Sequence, residues 1–370
     1  MRLIGDVVFT TPLIRALRRA YPDARIAYLV EREAAPVVLH NPHLDEVIIA
    51  PRTRGARRIA DDLALARRVR RERFDLVLDL HGGPRSAWLT WASGAAERIG
   101  YDITGRRWMY TRVVHRPRDL RPRHSVANQW DLLDAIPGWT GGPADETRDT
   151  VEMALEPGAD ARMRDRLDRA GVAADDELVV LHVSAGNPFR RWPDAFFAET
   201  AAALAAGNPR RRLVFSSGPS DREASSRIAA DARTRLGASA GRIIDLGEFD
   251  LQELRALVGR SRLFVGGDTG PLHIAATTAT PVVGIYGPTL AVRSAPWRPS
   301  SIRTLSVEIP VEELPCRPCD QRTCTPGDFR CLTQITPDRV IAAAEEALSL
   351  RPEGGRGTDT GGSQKGGQES

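Results

Sequence analysis

The sequence predicts an α/β protein built on doubly wound parallel sheets, and three observations carry that prediction. Short apolar runs alternate with helix-period segments from end to end. Most of the runs are uninterrupted, as in strands buried on both faces. Several lead directly into glycine-bearing turns that open helices, the junction at which such sheets bind ligands.

The elements follow in order. The chain begins MRLIGDVVFTTPLIRALRRAYP, with a helical pattern over 11–22. Gly5 and Asp6 stand where a strand normally hands over to a helix, yet only Met1 to Ile4 remain for that strand. Those four residues are expected to be its last turn. Strands are predicted at 24–30 (ARIAYLV), 46–50 (EVIIA) and 74–82 (FDLVLDLHG). Residues 137–150, PGWTGGPADETRDT, have no period and read as a linker. Past a helical pattern over 165–172, strands are predicted at 177–186, 211–218, 241–247, 261–270 and 280–289. A last helix is predicted at 337–351, and residues 352–370 lack packing side chains and read as disordered. The expected units are therefore 1–145, 146–336, the helix 337–351 and the tail 352–370. Two domains also suit a length of 370 residues.

Composition narrows the function. With 42% hydrophobic and 6% aromatic residues, the chain fits a globular protein. No run approaches the roughly 18 apolar residues of a membrane span, and no signal-peptide pattern opens the chain, so a cytoplasmic location is expected. The net charge is +4, and Lys365 is the only lysine, so nearly all the positive charge is arginine. Dense arginine stretches at 52–73 and 106–123 suit either a GC-rich genome or a surface facing phosphate and anionic lipid. Neither has the regular aromatic interleaving of a single-strand nucleic-acid platform, so nucleic acid is not an expected partner.

Three strand-to-helix loops carry the chemistry. SRLFVGGDTGPLHIAA brings Gly266-Gly267 and then Asp268, Thr269 and Gly270 to the head of a helix bearing His273. Free N–H groups there suit an anion, though a capped tight turn would read the same way. HVSAGNPFRRWP places Ser184, Arg190 and Arg191 around a small-residue loop, and a forked guanidinium suits a diphosphate. SSGPSDREAS offers Asp221 or Glu223 to a ribose hydroxyl. Three such loops on one sheet edge weigh more than any one of them.

With these segments in view, a resemblance becomes evident. GDVVFTTPLIRALRRAYP, SAGNPFRRWP, GGDTGPLHIAATTATPVVGIYGPT and CRPCDQRTCTPGDFRCLTQITPDRV resemble, in the same order, the bacterial heptosyltransferases of glycosyltransferase family nine. The resemblance covers most of residues 3–350. It implies a GT-B architecture, two Rossmann-like domains facing across a cleft. It also implies an inverting transferase that moves a heptose from an ADP-activated donor to the lipopolysaccharide inner core. Such an enzyme meets its lipid-linked acceptor at the inner face of the cytoplasmic membrane, in transient contact with an anionic surface.

By that resemblance Asp6 matches the general base, which takes the proton of the attacking acceptor hydroxyl. An ordinary role as N-cap of the next helix is compatible with it. Asp268, Thr269, Gly270 and His273 match the donor-diphosphate turn. Arg190 stands where the family often has lysine, and its charge would stabilise the departing diphosphate without a metal. Asp221 stands where a nucleotide-facing glutamate is usual. In LDLHGGPRSAWL, Asp79, His81 and Arg85 become acceptor-side candidates, His81 equally readable as a satisfied loop residue. Family members also carry a complete strand before Gly-Asp, so the true start is expected upstream of Met1. A relative acting on another sugar nucleotide or glycan, a sugar-nucleotide epimerase and a non-catalytic nucleotide-sugar-binding protein are the alternatives.

Four cysteines fall in one stretch, as Cys316-x2-Cys319-x4-Cys324-x6-Cys331. In a reducing compartment such a cluster reads more readily as metal ligation than as disulfides. A structural zinc could tie the loop to the last helix. Free thiols or a redox-labile pair remain the alternative, since the spacing is irregular for a zinc ribbon.

Overall fold

The computed structural model describes residues 3–53, 55–115, 122–183 and 187–349. Every strand pair among them is parallel, and the strands fall into three sheets. Towards the amino terminus, β1 (Ala27–Glu31) pairs with β2 (Glu46–Ala50). A second small sheet joins β3 (Leu76–Leu78), β4 (Glu97–Tyr101) and β5 (Arg112–Val114). The other half is one sheet of β6 (Glu177–Val183), β7 (Arg211–Ser217), β8 (Ile243–Ile244), β9 (Leu263–Gly267), β10 (Val282–Tyr286) and β11 (Thr304–Glu308). Its spatial order is β11-β10-β9-β6-β7-β8, so the winding reverses between β6 and β9.

This is the predicted α/β class, and β2 matches its run EVIIA residue for residue. The run over 241–247 overreaches, because Asp245 turns the chain after β8, its carboxylate accepting the Gly247 N–H at 2.9 Å. Strands β4, β5 and β11 were not anticipated. β4 opens on Glu97-Arg98, β5 has three residues of which two are exposed, and β11 mixes polar with apolar positions. None of them presents a continuous apolar run. The helix predicted at 165–172 overlaps the observed Ala159–Arg169, which ends earlier, with Gly171 in the left-handed region. The final helix is Pro337–Ser349; residues 350–351 and the tail 352–370 lie outside the described residues.

The expectation for the amino terminus is corrected. Among the described residues at this end, Leu3 has extended backbone and Ile4–Val8 is a helix with Gly5 and Asp6 inside it. Burial explains the difference. Val7 and Val8 are wholly buried, and they share one apolar cluster with Tyr28 and Val30 of β1 and with Ile99 and Tyr101 of β4. A helical turn, closed by the Val7 N–H on the Leu3 carbonyl at 3.1 Å, presents both valines to that cluster. The two small sheets do not hydrogen-bond to each other among the described residues.

Residues 137–150 contain no helix or strand, as the linker reading expects, but they are firmly held. The buried Asp149 carboxylate accepts from Arg148 Nε at 2.9 Å and from both terminal nitrogens of Arg19. Its carbonyl accepts the indole N–H of Trp297 at 2.9 Å. Two elements distant in sequence thus meet at one crossover residue. Next to it, the Glu152 N–H donates to Thr11 Oγ1 at 2.9 Å.

Candidate active site

The winding reversal sets out the site. Loops after β6 and β9 leave the same sheet edge on either side of the switch point, where α/β sheets bind ligands. At the end of β9, Gly266 is required by close packing: a Cβ there would stand 3.2 Å from the Cβ of His182 on β6. The chain then turns through Asp268 and Thr269 into the helix Gly270–Ala276, with Pro271 in its first turn. That helix has only seven residues, so its dipole is small, and the positive charge of the site comes mainly from Arg190.

Asp268 is the centre of the cluster. Its carboxylate accepts from Thr289 Oγ1 at 2.6 Å and lies 3.4 Å from His273 Nε2 and 3.8 Å from Arg190 Nη1. Burial alone would raise its pKa. The His273 hydrogen bond and charge, with Thr289 and Arg190, outweigh burial and hold the group below the usual carboxylate range. Arg190 Nη1 also donates to the Asp268 carbonyl at 2.7 Å. Its Nη2 has no hydrogen bond among the described residues, and the side chain is 32% exposed, so one edge of the guanidinium is open to an oxyanion. Arg191 goes elsewhere, pairing with Asp194 at the head of the next helix. Ser184 lies outside the described residues.

Asp221 ends a single helical turn after β7 and is 7% exposed, with Ser220 Oγ donating to it at 3.1 Å. Glu223, the other nucleotide-facing candidate, points into solvent. Asp221 shares the sheet edge with Arg190 and Asp268 without touching them.

The helix that carries Asp6 meets this cluster from the other half of the chain. Its helix, Ile4–Val8, packs on the helix Gly270–Ala276 so closely that a Cβ on Gly5 would overlap His273 Cδ2. A Cβ on Gly270 would in turn meet Ile4 Cβ at 3.0 Å. Phe9 closes the contact, its ring 4.4 Å from that of His273 and 5.1 Å from that of His124. Asp6 is not the cap of the following helix, whose N-cap position belongs to Thr10.

The acceptor-side candidates occupy one loop but have different partners. The buried Asp79 carboxylate accepts from the His81 and Gly82 N–H groups at 3.0 and 2.9 Å, from Ser86 Oγ at 3.0 Å and from Tyr110 OH at 2.7 Å. It organises the loop and has little capacity left for a ligand. His81 is exposed, its ring lying over Gly83. Arg85 bonds Asp62 at 2.6 Å and the Pro51 carbonyl at 2.9 Å, with Glu31 3.6 Å away, so its charge is already compensated. Among the described residues none of the three touches the Asp268 cluster.

All four cysteines line one cavity of about 300 Å³, together with Phe189, Arg317 and Phe329. Burial, reinforced by the neighbouring cysteines, pushes the Cys331 thiol up to about 11 against the opposing charge of Arg317. Among the described residues no three His, Cys, Asp or Glu side chains converge closely enough to hold a metal ion. The thiols share a cavity without forming a ligand set. Sequence reading had singled out only cysteines in this stretch and missed Gln321, whose amide meets Arg190 at 2.8 Å. It also missed Thr289 and Phe9, which lie inside the resembling segments 266–289 and 5–22 without a chemistry of their own to mark them, and Tyr110, which lies in none of those segments.

The model of the family described as glycosyltransferase family 9 (heptosyltransferase) matches residues 63–328. The chain belongs to glycosyltransferase family 9. A curated relative, lipopolysaccharide heptosyltransferase 3 of Escherichia coli, is 29% identical over 358 residues, covering 94% of this chain and 97% of that one. Among solved structures, a family 9 glycosyl transferase from Veillonella parvula superposes with a TM-score of 0.77 at 23% identity, covering 94% of each chain. The E. coli ADP-heptose lipopolysaccharide heptosyltransferase II gives 0.72 at 20% identity, covering 94% of this chain and 97% of that one. This family 9 protein is accordingly a glycosyltransferase of GT-B architecture. Its switch-point cluster lies at one edge of the six-stranded sheet.

Proposed function

We propose that this family 9 glycosyltransferase moves a heptose from ADP-heptose to a lipopolysaccharide inner-core acceptor, with inversion at the anomeric carbon. One observation supports the assignment of parts: the helix that carries Asp6 packs directly on the helix that bears His273, as a base working beside the donor turn would need. The reading draws its donor and acceptor from the relatives, named as lipopolysaccharide heptosyltransferases.

In this reading the acceptor hydroxyl oxygen attacks the anomeric carbon while Asp6 takes its proton. The bond from that carbon to the diphosphate oxygen breaks, and the electron pair leaves with ADP. Arg190, held by Asp268, faces the growing negative charge with a guanidinium already oriented, so no metal is required for that role. Thr269, Gly270 and His273 shape the donor turn, with Ser184 and Asp221 on the nucleotide side. The acceptor meets the loop of His81, shaped by Asp79 and flanked by Arg85.

The encounter with lipid-borne acceptor takes place at the inner face of the cytoplasmic membrane. No helix among the described residues is long and apolar enough to cross a membrane, and the arginine-rich stretches suit an anionic surface. A structural zinc on Cys316, Cys319, Cys324 and Cys331 also stands as a proposal: the thiols line one cavity and would have to draw together to bind it. Elemental analysis of protein purified without chelator tests it.

The experiment for the main proposal is Asp6→Asn, followed by mass spectrometry of ADP-heptose turnover with a core acceptor. Transfer should fall at least about a hundredfold, as expected on loss of a general base, with ADP binding retained by calorimetry. Unchanged turnover removes Asp6 as base. A preference for another sugar nucleotide in a donor panel would replace heptose as the sugar.

A further inference from the structure

We infer that Gln321, on the four-cysteine loop, is a positioning residue that aims Arg190 at the donor diphosphate. The inference rests on the donor reading of Arg190 given above. Gln321 Oε1 accepts from Arg190 Nε at 2.8 Å and from Asn187 Nδ2 at 3.1 Å. Together with the Asp268 carbonyl on Nη1, this fixes the guanidinium at two of its three nitrogens and leaves the Nη2 edge for an oxyanion.

The amide is itself anchored. Gln321 has φ of 59°, in the left-handed region that a non-glycine residue rarely occupies. Its N–H donates to Cys319 Sγ at 3.3 Å, and the Cys319 N–H donates to the Pro288 carbonyl at 2.9 Å. Upstream, the buried Arg317 side chain donates to the Thr289 carbonyl and to Glu308, each at 2.6 Å. Thr289 is the residue whose hydroxyl holds Asp268. The cysteine loop therefore reaches the donor turn twice, through Thr289 to the carboxylate and through Gln321 to the arginine. A loop needed only for packing would not require a strained residue whose amide oxygen spans 131 positions in sequence to a partly exposed guanidinium.

The test compares ADP with AMP, which lacks the β-phosphate, by calorimetry on the full chain. Gln321→Met keeps the shape and removes the acceptor oxygen, whereas Gln321→Glu keeps an acceptor oxygen at the same reach. The Met variant should lose about tenfold in ADP affinity, the worth of a hydrogen bond to a charged group, with AMP affinity unchanged. The Glu variant should retain the preference for ADP. If Gln321→Met binds ADP normally while Arg190→Ala does not, the positioning role is overturned and the donor reading stands. If Arg190→Ala keeps the full preference for ADP over AMP, the donor reading falls and takes this inference with it. Equal losses for ADP and AMP in both Gln321 variants, with a lowered melting temperature, would assign Gln321 to folding alone and overturn the proposal.

Discussion

Gly5 shows how one missing methyl group can join two halves of a chain. Inside a helix, alanine normally stabilises over glycine by about 1 kcal/mol. Here the added Cβ would overlap His273, whose ring cannot give way because Asp268 lies 3.4 Å from Nε2 and Phe9 packs on its face. Gly5→Ala should therefore destabilise the protein by about 1–3 kcal/mol, the ordinary range for overpacking. Urea denaturation reads it directly, and a more stable variant would show that the two helices separate freely. The sequence marked Gly5 as notable for its place at a strand end, and the structure assigns it to a helix contact instead. No periodicity can reveal that a glycine faces a histidine 268 positions away. Asp79 gives the complementary case: its place before a glycine loop was legible, but the four donors that occupy it include Tyr110, which nothing in the sequence links to it.

At the scale of elements, the joint around Asp149 is the critical connection. A carboxylate with no solvent exposure serves Arg19 from one side and Arg148 from the other, while its carbonyl receives Trp297. Asp149→Asn would take the charge partner from two guanidiniums that stay partly solvated, and should cost about 1–2 kcal/mol. Equilibrium unfolding in guanidinium chloride checks this, and a loss below about 0.5 kcal/mol would make the crossover a loose tether. The composition of 137–150 identified a segment without helix or strand. It could not disclose that one of its carboxylates is fully buried, because burial depends on partners brought from 130 residues before and 148 after. The strands divide along the same line. Runs such as EVIIA announce themselves because both faces are covered, whereas β5 and β11 depend on pairing with a neighbour already in place.

For the whole molecule, acid is the condition to which the core is most exposed. Burial lowers His124 and His182 from an ordinary 6.5 to about 4; in His124 the hydrogen bond to the Ala295 carbonyl opposes this in part. The folded chain therefore binds fewer protons than the unfolded one between those values. Stability is complete above about pH 6.5 and falls as the pH drops through that window towards 4. Each histidine contributes on the order of 3 kcal/mol across it. Asp268, held below the usual carboxylate range, adds a loss of the same sign at still lower pH. Unfolding free energy measured from pH 7 to 4 should decline steeply, and His124→Gln should remove about half of the slope below pH 6.5. A flat profile would mean that both rings protonate without disturbing the fold.

The contact between the first helix and the helix of His273 also has a thermodynamic reading. Among the described residues, 4–9 carry no sheet hydrogen bonds and owe their order to packing on two sides, β1 and β4 of their own half and the His273 helix of the other. A ligand that stiffens the donor turn therefore also stiffens the amino terminus. By reciprocity, anything that frays those few residues weakens the ligand by the same factor. If the two helices are coupled in this way, the first turn of the chain should report occupancy on the opposite half, as slower amide exchange when ADP is added.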